Sequence, residues 1–303
     1  MMFRISTNTV YQRGLEGILK REHDLSEVQM QVSSGKAFLK PSDDPSGSAR
    51  VLDFNRVIEN TEQYQRNILS IKNRLAIEDN VLDGLGKGLR RIRELALQGS
   101  SETYTPDQQA YLAKEVRILL DDMVSLANSQ DSSGDYIFAG YQGSVRPFEL
   151  VGGNYVFNGD MGQRQIRVSD DRTIADSDSG FEVFMDIATS AGGTRNAFET
   201  VDQIATSLES GVAVGTLLDD LQLVMENVLE IRAGVGARQN AVDQHEIINE
   251  DFILTMEENR AKIEDLDYAE ALTRFSQLQT ALEAAQKTFI SLQGLSLFNF
   301  LRL

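Results

Sequence analysis

Cysteine is absent from the 303-residue chain, which removes disulfides, thiolate metal sites and cysteine nucleophiles together. Tryptophan is missing as well, and histidine occurs only at His23 and His245. The side chains that carry most acid–base and metal chemistry are therefore scarce. No run approaches 18 consecutive apolar residues, so no membrane-spanning helix is expected. The opening MMFRISTNTVYQRG lacks an apolar h-region and a small-residue cleavage site, which taken alone points to a cytoplasmic chain without a cleaved leader. Basic residues are few: 29 Lys and Arg stand against 46 Asp and Glu, a formal charge of −17. Residues 1–74 are nearly balanced, so the deficit falls on the remainder. A body this acidic repels a phosphate backbone, and a nucleic-acid partner is not expected. The apolar fraction of 41% and charged fraction of 25% are those of a folded chain rather than a disordered one.

What the chain does have is a seven-residue repeat. Steps of three and four from Phe54 give Val57, Thr61, Tyr64, Ile68, Ile71, Leu75, Glu78, Leu82, Leu85, Leu89, Ile92 and Ala96. Only Thr61 and Glu78 break the apolar series, which predicts a long helix with a coiled-coil-like seam. Asp44 can cap its start and Pro45 can occupy its first position, with a loop over 34–44 before it. A shorter helix over about 8–33 places Tyr11, Ile18, Leu25 and Val32 seven apart. A third begins near Thr105, where TPDQ supplies a cap, a first-turn proline and a Gln three residues on, with Leu112, Val116, Leu119, Met123 and Leu126 expected to line one face. Leu217, Leu221, Val224, Val228, Ile231, Val235, Arg238 and Val242 form a second seam with one polar exception. A last one, Ala271, Phe275, Leu278, Leu282, Ala285, Phe289 and Leu292, is apolar throughout. Between about 132 and 195 the pattern changes to turn clusters separated by YIFAGY, NYVF, RQIRV and FEVF, which read as strands of a small inserted β domain. The fold class expected is mainly α with an inserted β domain, the long coiled-coil-like helical rod being made from N- and C-terminal segments.

The chemical motifs are weak. HEIIN at 245–249 begins like a zinc-protease helix, but Asn249 stands where the second histidine is needed, so a solvated helix face is the better reading. GLGKG at 84–88 lacks phosphate-loop spacing and keeps the heptad phase; its glycines allow close helix packing or a soft bending point. DSDSG at 176–180 lacks the remaining ligands of a calcium loop and reads as an acidic turn. Asp43 and Asp44 are explained by capping, and Glu264, Asp265, Asp267 and Tyr268 by a helix surface. Neither group reads as catalytic. No enzyme activity, metal or cofactor is expected.

RISTNTVYQRGLEGI, LSEVQMQVSSGK and PSDDPSGSA near the start resemble the amino-terminal signature of the flagellin superfamily. VLEIRAGVGARQNAVD, KIEDLDYAEALTRF and the final LSLFNFL resemble its carboxy-terminal signature. Within the superfamily, YIFAGYQG followed by PFE, and KTFISLQGLSLFNFL, resemble the hook-associated members more than filament flagellins. The residues that carry this resemblance include Pro41, Ser42, Asp43, Asp44 and Pro45; Tyr136, Ile137, Phe138, Ala139, Gly140 and Tyr141; and Ile263, Glu264, Asp265 and Tyr268.

The resemblance implies a structural subunit at the junction of hook and filament, with filament flagellin or a secreted adhesive module as alternatives. It implies export through the flagellar type III apparatus without a cleaved signal, which replaces the cytoplasmic reading. It implies a homo-oligomeric ring at the hook tip, contacts with hook-associated protein 1 and flagellin, an export chaperone for the C-terminal helices, and neither a nucleic-acid nor a membrane partner. In these terms residues 1–44 and 265–303 form an inner terminal domain, 45–131 and 198–264 a helical rod, and 132–197 an outer β-rich insertion. The terminal seams are expected to be completed by neighbouring subunits through Ile5, Tyr11, Ile18, Leu25, Val32, Phe275, Leu282, Phe289, Leu292, Leu295, Leu297, Phe298, Phe300 and Leu301, since an apolar stripe must bury itself against something.

Overall fold

A computed structural model describes residues 7–101 and 104–300. Six helices and six short strands follow one another in the order α1 (Thr7–Ser34), α2 (Pro45–Gly99), α3 (Pro106–Ala127), β1 (Phe148–Val151), β2 (Asn154–Phe157), β3 (Gln165–Arg167), β4 (Thr173–Ala175), a single π-helical turn (Phe181–Met185), β5 (Ile187–Ala188), β6 (Thr194–Arg195), α4 (Ala197–Glu209), α5 (Leu217–Glu264) and α6 (Tyr268–Phe300). The chain forms two compact units. One is the continuous segment 61–251; the other combines residues 1–60 with 252–303.

In the 61–251 unit the predicted seams become the core. Ile68, Ile71, Leu75, Leu82, Leu85, Leu89 and Ile92 of α2 are fully buried, together with Ala113, Val116 and Leu120 of α3 and Leu221, Val224, Val228, Val235 and Val242 of α5. α3 starts as its sequence predicts. Thr105 accepts from the Gln108 backbone N–H while the Gln108 side chain accepts from the Thr105 N–H, and Pro106 takes the first turn. Gly84 supports close packing, because a Cβ there would lie 3.2 Å from Leu126 Cδ1; Gly88 faces open space and has no such role.

The strands of the inserted segment make three separate two-stranded antiparallel pairs, β1–β2, β3–β4 and β5–β6. Two of the runs read as strands depart from expectation. YIFAGY is not a strand but a buried turn. Gly140 has φ 67°, and a Cβ there would fall 2.5 Å from the carbonyl oxygen of Asp160, so the chain reverses where a strand would continue. FEVF is the π-helical turn rather than a strand, its start fixed where the Gly180 N–H donates to the Phe138 carbonyl at 3.0 Å. The apolar character of both runs serves an aromatic core. Phe148 meets Phe157, Phe184 and Phe198 at centroid distances of 5.2, 5.1 and 5.3 Å, and Phe138 meets Phe184 at 5.5 Å.

Helix α4, at the start of the helical segment expected from residue 198, closes this core. It is capped by Asn196, which accepts from the Glu199 N–H, and buries Phe198, Val201, Ile204 and Leu208. Arg117 of α3 clamps it, with Nη1 2.7 Å from Asp202 and Nε 2.6 Å from Glu209. The β3–β4 hairpin is tied to the helices by polar side chains. Tyr64 donates to Asp170 at 2.7 Å, Asn67 to the Arg167 carbonyl at 2.8 Å, and Asn249 to the Val168 carbonyl at 3.0 Å.

Two motif readings are thereby corrected. HEIIN is solvated only in part: Ile247 and Ile248 are exposed, but Asn249 is buried with its amide donating to the Val168 carbonyl, and Glu246 pairs with Lys72 at 2.7 Å. DSDSG is not an open acidic turn: Asp176, Ser177, Asp178 and Ser179 are all buried. Arginines bring it inside, since buried carboxylates require partners. Arg164 Nε donates to Asp176 at 2.8 Å, Arg74 Nε lies 3.1 Å from Asp176, and Arg238 Nη1 donates to Asp178 at 3.0 Å.

Candidate assembly surface

In the unit made by the chain ends, α1 packs along α6. Tyr11 rests on Phe289 with ring centroids 4.9 Å apart, and Gly14 makes room for that ring: a Cβ at Gly14 would lie 2.9 Å from Phe289 Cδ2. Beside this contact runs a shallow groove lined by small side chains, among them Gly17, Ala281, Ala284 and Ala285.

The motif at 41–45 builds the entry to α2. Asp44 accepts from the Gly47 N–H at 2.9 Å, the capping expected, and Pro45 is the first helical residue. Pro41 and Ser42 are exposed in the turn before it. Asp43 accepts from the N–H groups of Lys40 and Leu39 at 2.9 and 3.2 Å, and the Lys40 N–H is the chief reason its carboxyl is held below the usual range. The second motif lies at the turn between α5 and α6 and meets the end of α1. The Ala37 N–H donates to the Glu264 carbonyl at 2.8 Å and the Leu266 N–H to the Gly35 carbonyl at 2.9 Å, while the Lys36 ammonium pairs with Glu264. Lys36 and Asp265 make an isolated antiparallel bridge. Gly35 has φ 74°, and Tyr268 leaves no slack, its hydroxyl being 3.1 Å from where a Cβ would stand. Ile263 is half-buried beside this clasp, and Asp267 caps α6 by accepting from the Ala269 N–H at 2.9 Å.

The third group, Tyr136 to Tyr141, belongs to the 61–251 unit. Ile137, Phe138 and Ala139 are buried; the Tyr136 N–H donates to Gly143 at 2.8 Å; the Tyr141 N–H donates to Asp160 at 3.0 Å and its hydroxyl to Gln163 at 2.8 Å. These residues hold the insertion together; they present no reactive group. Among the described residues no three acidic or histidine side chains gather as a metal site, and no helix is long and apolar enough to cross a membrane.

The expected interface residues fall into two sets. Ile18, Leu25, Val32, Phe275, Leu282 and Phe289 are only half-buried, and Tyr11 is exposed, so pairing α1 with α6 covers their seams in part. Ile5 and Leu301 lie outside the described residues, as do the side chains of Leu292, Leu295, Leu297, Phe298 and Phe300. Sequence reasoning missed the apolar residues beside the seam: Leu15, Leu19, Leu272 and Ile290 are 41, 55, 53 and 65% exposed. Their signal was available, because α6 carries only four charged residues, Glu270, Arg274, Glu283 and Lys287. A helix so poor in charge has no solvent face to spare.

The bacterial flagellin N-terminal helical region matches residues 5–143, and the bacterial flagellin C-terminal helical region matches residues 218–301. The flagellar hook-associated protein 3 of Escherichia coli (strain K12) is 27% identical over 97% of this chain and 98% of its own length. The protein of the same name from Salmonella typhimurium (strain LT2) is 26% identical over 99% of this chain and 100% of its own. Among solved structures, the flagellar hook-associated protein 3 of Legionella pneumophila has the same fold, with a TM-score of 0.65 at 19% identity, over 69% of this chain and 98% of that one. Matched at both ends by the two helical regions that define it, this chain belongs to the bacterial flagellin family.

Proposed function

We propose that this chain is a structural subunit of the bacterial flagellum that forms the junction between hook and filament and joins its neighbours through its terminal helices. The observation that carries the reading is the unfinished α1–α6 pair: a seam half covered, with Leu15, Leu19, Leu272 and Ile290 exposed beside it. Apolar surface of this kind is stabilised when other helices cover it, and membership of a helical filament family supplies such neighbours. Relatives similar to this chain over nearly the whole length of both are hook-associated proteins, which favours a position at the hook end of the filament. The partners that follow are further copies of the chain in a ring, hook-associated protein 1 on one side and flagellin on the other. An export chaperone would shield the C-terminal helix before assembly, and delivery outside the cell would be through the flagellar type III apparatus. The five-part division into terminal, rod and outer segments belongs to the same proposal.

Deletion of the gene tests it. Cells should keep their hooks, lack filaments and release flagellin into the medium, and the intact gene should restore motility while a copy lacking residues 290–303 should not. Filaments that persist in the deletant would sink the junction reading, and full rescue by the truncated copy would sink the role of the terminal helices.

A further inference from the structure

Glu78 and Arg238, the charged breaks in two heptad seams, meet in the interior of the 61–251 unit. Glu78 is fully buried on α2, with its Oε2 3.8 Å from Arg238 Nη2 of α5. Between these helices the segment after β4 is inserted. The Asp178 N–H donates to Glu78 Oε1 at 2.9 Å, and the Asp178 carboxylate is held by Arg238 and by Gln163 at 2.8 Å. Glu78 Oε2 is buried and accepts no hydrogen bond. The charged groups facing it are Asp178 from the inserted segment and Arg238 from α5; beyond them Arg74 of α2 and Arg164 before β3 hold Asp176, and Arg74 also holds Asp131.

The charge count of this cluster does not close. Glu78, Asp131, Asp176 and Asp178 supply four carboxyl groups; Arg74, Arg164 and Arg238 supply three guanidinium groups. Arg74 bridges Asp131 and Asp176, Arg164 also binds Asp176, and Arg238 faces both Asp178 and Glu78. With every group ionised, Glu78 and Asp178 share one guanidinium, and Glu78, whose side chain is fully buried, is the carboxyl whose free oxygen has no donor. An unpaired charge in such a place costs more than a proton does.

We propose that Glu78, Asp178 and Arg238 form a proton-held latch, in which a neutral Glu78 carboxyl fixes the inserted 176–180 segment onto α2 and α5, and loss of that proton to solvent loosens it. The neutral acid donates its O–H toward the Asp178 carboxylate and still accepts the Asp178 N–H. The ionised form sets two carboxylates against one guanidinium. Burial, and then the charge of Asp178, push the Glu78 carboxyl up to about 8, outweighing the Asp178 N–H and Arg238. Because the folded value lies above the unfolded one, the contribution is complete at low pH, declines as pH rises past the ordinary carboxylate range, and is spent above about pH 8. Through this group alone the folding constant falls about fifty-fold between about pH 6 and about pH 8.

Glu78→Gln reproduces the neutral acid, with an oxygen for the Asp178 N–H and an N–H for the Asp178 carboxylate. The urea midpoint of the full chain should fall across that interval, and the Glu78→Gln chain should lose most of the fall. Equal pH dependence in the two chains would overturn the latch. Infrared spectroscopy of the unmutated chain keeps the question decidable if the variant does not fold. A carboxylic-acid C=O band should be present near neutral pH and vanish on alkalinisation; its absence near neutral pH, or its persistence well above the transition, overturns the proposal.

Discussion

Replacing Leu19, Leu272 and Ile290 together by glutamine should remove assembly without removing the fold. These residues are 55, 53 and 65% exposed beside the half-covered α1–α6 seam. Burying a whole leucine or isoleucine side chain is worth about 2 kcal/mol, so covering the exposed half of each contributes about 1 kcal/mol, or about 3 kcal/mol for the three. At about 1.4 kcal/mol per tenfold, that is on the order of a hundredfold in association constant for each subunit contact. Glutamine keeps helix propensity and an aliphatic stem over the same surface, so the denaturation midpoint of the isolated chain should hardly move. The assay is competition: variant and unmutated chains are expressed together, and flagella are purified and their composition measured by mass spectrometry. The variant should be depleted from the structures about a hundredfold relative to its share in the cell. Incorporation in proportion to expression would refute the argument that this surface is the one covered on assembly.

Phe148→Ala should cost about 3–5 kcal/mol of stability in the 61–251 unit, since the ring is fully buried against three other phenylalanines; a denaturant midpoint checks this. Thr105→Ala removes the reciprocal cap of α3 and should cost about 1 kcal/mol, read in the same way. On the acid side the sign of the pH effect reverses. Burial raises the Asp131 carboxyl, but the N–H groups of Ser133 and Asp135 and the Arg74 charge outweigh it and hold it below the usual value. Its contribution is therefore present above the ordinary carboxylate range and is lost as pH falls through the depressed value. Asp131→Asn should flatten acid unfolding, and an acid limb of undiminished slope would contradict that assignment.

The helices were legible because their cause is local. Asp44 before Pro45, and the Thr105–Gln108 box, announce helix starts by satisfying backbone groups that each helix leaves open. The inserted segment was less legible because YIFAGY and FEVF are apolar for a reason outside themselves. Phe138 and Phe184 fill a shared aromatic core, and a turn can bury a phenylalanine as well as a strand can. Helix α4 falls in the segment expected to be helical, but its own apolar face was not named. Asn196 precedes Glu199 at capping distance, and Phe198, Val201, Ile204, Ala205 and Leu208 recur at helical spacing, but the turn-rich sequence before it masked the change of period. Among the candidate interface residues, the heptads pointed to positions that α1 and α6 half-cover between themselves. The more exposed positions beside the seam stand one step off the repeat and were passed over. Glu78 and Arg238 are the instructive pair: each looked like a flaw in its own helix, and only tertiary proximity shows that the flaws are matched.

The clasp between Gly35–Ala37 and Glu264–Leu266 joins the first seventh of the chain to its last. Such contacts carry a large loop-closure entropy when made first and little once the intervening 61–251 unit has folded. Contact order therefore favours early closure within 61–251 and late closure of the end-to-end unit. Until the C-terminal segment returns, α1 has no helix to lie against and its apolar stripe stays uncovered.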